Sequence, residues 1–342
     1  MDTAICKGIA IILMLMHHLF GFNDRIKNGA EYTSIFSISG ENIEFLIAHF
    51  GKICVAMFLF LNGFGMYKKW IENKDNINSI IFDRVKALYI NYWTIFLIFI
   101  PVSFLFVIRE FRFSEFFDNF VGYSSSYNPE GWFLKLYIIT FPIAVKIISQ
   151  SSLVTVFRII LISVLASTIL PEFKNIQIFN SFFKTTFSRE LLDLLYWIPC
   201  FLMGCTFAKF DLFSKFQKKC IENKLDNIFV YILFSVIIIY IRKRNANTID
   251  FDYLLVPIFI ISSVNIIKIL RINKIFEFLG KNSTNIWLMH SYFCYQYFQK
   301  LVYYPKNSII IVIWLILLCI ICSILVIYVQ DKIKIYYRKK CI

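Results

Sequence analysis

Apolar residues in this chain of 342 come in long runs, each about the length a helix needs to cross a bilayer. Ten such runs lie at about 5–23, 46–66, 88–108, 132–149, 153–170, 191–208, 226–243, 253–270, 285–303 and 308–330. In hydrocarbon every backbone polar group must find a partner within the protein, and a helix achieves this inside a single segment. The expected fold is therefore all-α: a polytopic transmembrane helical bundle of about ten spans. With 58% hydrophobic residues, the chain has too little polar surface for a soluble fold of this size. The fourth and fifth runs are nearly contiguous and predict an antiparallel hairpin. No long Gly/Ser or Pro-rich linker, internal repeat or low-complexity tract divides the sequence, so residues 1–342 read as one membrane domain.

The net charge of +14 is distributed as membrane topology distributes it, in short basic clusters between apolar runs. Placing the N-terminus inside puts the larger share of Lys and Arg on the cytoplasmic side, which predicts both termini in the cytoplasm. Arg242-Lys243-Arg244 runs against that bias locally. No soluble domain presents a basic face, so nucleic acid is excluded as a partner and membrane lipid is expected. The nine cysteines fall mostly inside apolar runs and read as small packing residues rather than a disulfide framework or a metal site. Cys319 and Cys322 form a CxxC with no His or carboxylate nearby. The first run lacks a small-residue cleavage site after it and is expected to be retained as a span.

That first run, KGIAIILMLMHHLF (7–20), carries three ionisable residues at membrane depth, where charge is costly and tends to face a cavity or the bundle interior. At about 100° and 1.5 Å per residue, Lys7 and His18 lie within about 20° of one face and roughly 16 Å apart along the axis. His17 points roughly 80° away and reads as a neighbour. Lys7 could also snorkel to the interface, and His18 could be a neutral ring bonded between helices. Against that stands the fitness of histidine for moving protons near neutral pH. His290, in NSTNIWLMHSYF, is the second conspicuous histidine. Ser283 sits within about 20° of its helix face, and Asn285 lies off that line. Asn62 precedes Gly63 within an apolar run, where close helix approach is the plain alternative. Trp132 follows Glu130-Gly131 and could belong to an aromatic belt or stack on a sugar ring. His49 reads as interfacial.

Taken in order, these segments resemble the acyltransferase family 3 membrane proteins. KGIAIILMLMHHLF is similar to their first-span motif, a basic residue followed after ten positions by a histidine. FLFLNGFGMYKKW (58–70) resembles the end of their second span, DRVKALYINYW (83–93) their Arg-containing entry to the third, and EGWFLKLYIITF (130–141) the start of their fourth. IPCFLMGCTFAKFDLF (198–213) and FLGKNSTNIWLMHSYF (278–293) are similar to later signatures, the second being the most distinctive. The family often has an acidic residue three before the basic one, where this chain has Ala4, and many members carry Arg where Lys7 stands.

The resemblance implies an acyl-CoA-dependent O-acetyltransferase, moving acetyl from acetyl-CoA to a hydroxyl of a cell-surface or lipid-linked carbohydrate. Acetyl-CoA enters as co-substrate, and no resident cofactor or metal is expected. His18 is the expected general base and His290 a second catalytic residue that steadies the thioester oxygen. Lys7 and Arg84 are the expected donor-binding cations, with Asn62, Trp132, Ser283 and Asn285 on the substrate side. The Phe, Ile, Lys and Asn richness suggests an AT-rich bacterial genome, hence a multi-pass protein of the bacterial plasma membrane. The competing reading is a transporter or flippase of a lipid-linked saccharide, although no inverted repeat or matching pair of broken helices supports it. A glycan polymerase or sensor scaffold is weaker still, since no large external loop is present.

Overall fold

The structure is a computed structural model that describes residues 2–27, 29–38, 40–72, 76–106, 109–140, 151–244 and 251–340. It is helical almost throughout. In chain order the principal helices are α1 (Thr3–Phe20), α2 (Ile43–Gly51), α3 (Ile53–Glu72), α4 (Ile77–Leu105), α5 (Phe113–Phe120), α6 (Leu153–Ile169), α7 (Thr186–Lys209), α8 (Ile228–Arg244), α9 (Asp252–Ile269), α10 (Ser283–Ser291) and α11 (Ser308–Lys340). The sheet content among the described residues is one two-residue hairpin, Ser37–Ile38 against Glu41–Asn42.

Among the described residues seven segments are long and apolar enough to cross a membrane, and they coincide with seven of the ten expected spans. Of the remaining three, α8 is a helix of 17 residues. The 132–149 span is helical over 132–140, and its remainder, with the expected hairpin turn, lies outside the described residues. The 285–303 span is a correction. It is not one helix but α10, a π-helical turn at Tyr292–Gln296 and a short helix at Gln299–Tyr303.

The described chain divides into two compact units. The first comprises 1–10, 53–82 and 136–277. Its centre is the packing of α3 on α7, which approach through two glycines. A methyl at Gly63 would lie 2.1 Å from the Phe201 carbonyl oxygen, and one at Gly204 would lie 2.0 Å from that of Phe60. Small residues let helix backbones touch in this way where lipid gives no hydrophobic drive to associate. In the same unit Arg242 donates from Nε and Nη2 to the two carboxylate oxygens of Asp252, at 2.8 and 2.9 Å. Both side chains are buried, so the basic cluster that runs against the charge bias contains a neutralised arginine.

The second unit comprises 11–52, 83–135 and 278–342. Its loop at 21–42 is clipped down by buried polar groups. Glu44 is 2% exposed. It accepts from the Ser34 hydroxyl, from the Ile35 amide at 2.9 Å and from Ser308 at 2.6 Å. Gln299 accepts from the Lys27 amide at 2.9 Å and donates to the Arg25 carbonyl at 2.8 Å. The Tyr303 hydroxyl donates to the Leu19 carbonyl at 2.6 Å. These bonds fix the turn that follows α1, and with it everything at the C-terminal end of that helix.

Candidate functional site

The end of α1 brings His18 into a cluster built wholly within the second unit. Its Nε2 lies 3.5 Å from Glu130 Oε2, and its Nδ1 lies 3.3 Å from the Tyr295 hydroxyl. Tyr295 is also hydrogen-bonded to Glu130 Oε1. Arg25 Nη1 reaches the same Oε1 at 3.3 Å, with its guanidinium 3.9 Å above the Phe22 ring. The His290 ring stands 4.8 Å from that of His18, and His17 flanks the other side at 5.1 Å.

Local chemistry explains each placement. Glu130 sits in the 3-10 turn Pro129–Gly131, which starts where proline's fixed φ is welcome and is capped by Asn128. Asn128 Oδ1 accepts from the Glu130 amide at 3.2 Å and from Ser291 at 2.6 Å, while its Nδ2 donates to the Leu288 carbonyl at 3.1 Å. One buried amide thus ties the glutamate's turn to the helix that carries His290. Tyr295 owes its direction to the π-helical turn, where the Tyr297 amide bonds back to Tyr292 rather than to Phe293. Such turns rotate the side chains that follow and recur at functional sites. Arg25 ends the short 3-10 turn Asn23–Arg25, held by Gln299.

The proton positions follow from counting hydrogens. Tyr295 has one proton, and its closest partner is the Glu130 carboxylate, so it donates there. Toward His18 that oxygen is then free to accept, and a neutral ring protonated on Nδ1 would donate to it and keep a lone pair on Nε2. His290 Nδ1 lies 2.7 Å from the Trp287 carbonyl and must donate to it. Its Nε2 is then a lone pair as well, buried and without a partner among the described residues. A neutral His290 therefore offers an acceptor at Nε2. His17 donates from Nδ1 to the Ala48 carbonyl at 2.8 Å and fastens α1 to α2.

The other expected site residues divide. Asn285 donates to Ser323 on α11 at 2.8 Å, a bond between helices, and Ser283 is buried at the start of α10. Trp132 packs edge-on against Phe133. Arg84 lies on α4 and is half-buried. Lys7 and Asn62 belong to the first unit. Glu130, Tyr295, Arg25 and Asn128 were not expected.

The fold is that of a multi-pass helical membrane protein, and its second unit gathers His18, Tyr295, Glu130, Arg25 and His290 in one largely buried cluster. The acyltransferase domain family known as acyltransferase 3 matches residues 4–329, and the chain belongs to it. This is a membrane acyltransferase. No curated protein and no solved structure matches the chain significantly.

Proposed function

We propose that the chain is an O-acetyltransferase that moves acetyl from acetyl-CoA to a hydroxyl of a cell-surface or lipid-linked carbohydrate, in a bacterial plasma membrane, with His18 as general base. The observation that carries this reading is the His18–Tyr295–Glu130 arrangement. A sugar hydroxyl is a weak nucleophile, and a base that takes its proton as the C–O bond forms makes attack on the thioester carbon feasible. The Tyr295 oxygen holds the proton on Nδ1 and presents Nε2 as the base. Once protonated, Nε2 carries its charge 3.5 Å from the Glu130 carboxylate. That charge is then stabilised in a dry site, where electrostatic support counts for most. The proton passes on to the departing thiolate, and His18 returns to its neutral state.

The lone pair on His290 Nε2, buried and without a partner among the described residues, suits a hydrogen bond from the acceptor. Trp132, Ser283 and Asn285 are assigned to the acceptor side, and Lys7 and Arg84 supply positive charge for the donor's phosphates. The test compares wild type with His18→Gln at matched membrane levels, supplied with radiolabelled acetyl-CoA and envelope glycans. The expected result is base-labile label in polysaccharide from wild type and a fall of roughly two to four orders of magnitude in the variant. Equal label in both would demote His18. A wild type that transfers no label while a proven relative does would overturn the reading.

A further inference from the structure

Arg25 belongs to the cluster at His18, yet the reaction set out above gives it no task. It lies in the second unit, together with His18, Phe22, Glu130, His290 and Tyr295. Its guanidinium carries five N–H donors in a fixed fork. The one side-chain hydrogen bond it makes among the described residues runs from Nη1 to Glu130 Oε1, at 3.3 Å. Nε and Nη2 are left with no hydrogen-bond partner among those residues. The group is held in place all the same. Its Cζ lies 3.9 Å from the Phe22 ring centroid and 5.3 Å from that of Tyr295, close enough for attraction to both ring faces. The Arg25 carbonyl is fastened by Gln299 at 2.8 Å. With the side chain 38% exposed, the free donors stand at the edge of the cluster, within reach of a ligand.

The rest of the cluster lacks a donor to offer. Glu130 accepts, and Tyr295 gives its proton to Glu130. His290 and His17 give theirs to the carbonyls of Trp287 and Ala48. Acyl transfer nevertheless builds negative charge on the thioester oxygen, and preorganised donors aimed at that oxygen are commonly the largest single contribution to such catalysis. We infer that Arg25 is a catalytic residue whose free N–H groups donate to the oxyanion of the tetrahedral intermediate. The inference rests on the acyl-transfer reading above and adds a residue to it. Arg25 Nη1 and His18 Nε2 stand on the two oxygens of one carboxylate, at 3.3 and 3.5 Å. As the new C–O bond forms, the hydroxyl proton passes to His18 Nε2 and the carbonyl π pair moves onto oxygen. The imidazolium then faces Glu130 while the oxyanion faces Arg25. One positive and one negative group become two of each, so the net charge of the site does not change. When the carbonyl re-forms, the C–S bond breaks and the thiolate takes the proton from Nε2. An acidic group on the acceptor could use the same donors, and the experiment separates the two.

The full-length protein in detergent is assayed as wild type, Arg25→Gln, Arg25→Lys, Glu130→Gln and the double variant Arg25→Gln with Glu130→Gln. Acetyl-CoA and the envelope glycan that wild type labels are varied in turn, and melting temperatures confirm that each variant is folded. Arg25→Gln should lower kcat by about 10²–10³ with both KM values nearly unchanged, because the oxyanion exists only in the intermediate. Arg25→Lys keeps the charge without the fork and should recover part of the loss. The double variant should be slower than Glu130→Gln alone by about tenfold or more, since the two residues meet different charges. A double variant no slower than Glu130→Gln would overturn the inference and leave Arg25 as a support for the carboxylate. A raised KM for the glycan with unchanged kcat would overturn it in favour of an acidic acceptor. An active wild type with an unaffected Arg25→Gln would overturn this role alone. A wild type that transfers no acetyl while a proven relative does would overturn the proposed reaction and this role with it.

Discussion

Arg242–Asp252 in the first unit and Arg25–Glu130 in the second are both arginine–carboxylate pairs, and the two are built to opposite ends. In the first unit Arg242 meets Asp252 with two donors on two oxygens, and the side chains are 8% and 0% exposed. In the second Arg25 meets Glu130 through one long contact of 3.3 Å, and its side chain is 38% exposed. Glu130 spends its remaining capacity on Tyr295 and on the neighbourhood of His18 Nε2. The first pair is closed: each carboxylate oxygen takes one guanidinium donor, and both side chains are shut off from solvent. The second is open, and its carboxylate faces the ionisable ring of His18, whose charge changes in the proposed reaction. A buried ion pair therefore says nothing about chemistry until its unused valences are counted.

The sharpest way to break this contrast is to neutralise each acid in turn. Asp252→Asn leaves Arg242 buried and uncompensated, which should cost about 3–5 kcal/mol of stability. Surviving protein should transfer acyl groups at near the normal rate. Glu130→Gln should do the reverse, lowering kcat by about 10²–10³ while the melting temperature in detergent moves little. If Asp252→Asn lost turnover without losing stability, the closed pair would be functional and the distinction would fail. Replacing both members of the closed pair, Arg242→Met with Asp252→Leu, sharpens it further. A well-packed apolar substitute is often neutral or stabilising by about 1–4 kcal/mol, so the double variant should recover what the single one loses.

A smaller effect tests the proton count. Tyr295→Phe removes the hydroxyl that ties His18 Nδ1 to Glu130 and frees the ring to adopt the other tautomer. The loss of one hydrogen bond to a charged partner predicts a fall in kcat of about tenfold or somewhat more. Tyr295→Phe combined with Glu130→Gln should cost little beyond Glu130→Gln alone, because the two residues act on the same imidazole. Additive losses would mean that Tyr295 acts by a separate route.

The sequence makes the histidines conspicuous because an ionisable ring in an apolar run is expensive, and His18 and His290 do meet. Glu130 is hidden for a physical reason. It stands at the head of a span, where acids, prolines and tryptophans are commonplace, and only the 3-10 turn capped by Asn128 carries it inward. Tyr295 is hidden because 285–303 reads as an unbroken helix. In a regular helix Tyr295 would be only one of several aromatic residues on its faces, and nothing local in Tyr-Phe-Cys-Tyr-Gln announces a π-helical turn. Ser283 and His290 do share the regular helix α10, whereas the bond from Asn285 to Ser323 has no trace in the local sequence. Seven spans were legible from length and apolarity alone, since backbone satisfaction in lipid leaves a segment few alternatives. Side-chain partnerships across the chain have no such one-dimensional trace.

The series of pairs has a third member, and it should yield the smallest effect. Lys306 donates to Glu31 at 2.6 Å, with side chains 66% and 67% exposed. The bond from Lys306 holds the Glu31 carboxyl below its ordinary value, and Glu31 raises the Lys306 ammonium above its own. A depressed carboxylate contributes stability that is complete above the unfolded chain's value and is lost as pH falls through the folded one. A raised ammonium contributes below its ordinary value and loses that contribution as pH rises through the folded one. Melting curves of wild type and Glu31→Gln should therefore differ slightly at pH 7, converge in acid and converge at any pH as salt screens the pair. Glu130→Gln should keep its full kinetic loss across the same salt range, because its carboxylate is 12% exposed and shielded from mobile ions. A kinetic loss that salt erases would place Glu130 with Glu31, as a surface charge acting at a distance, and would remove it from the proton-transfer cluster.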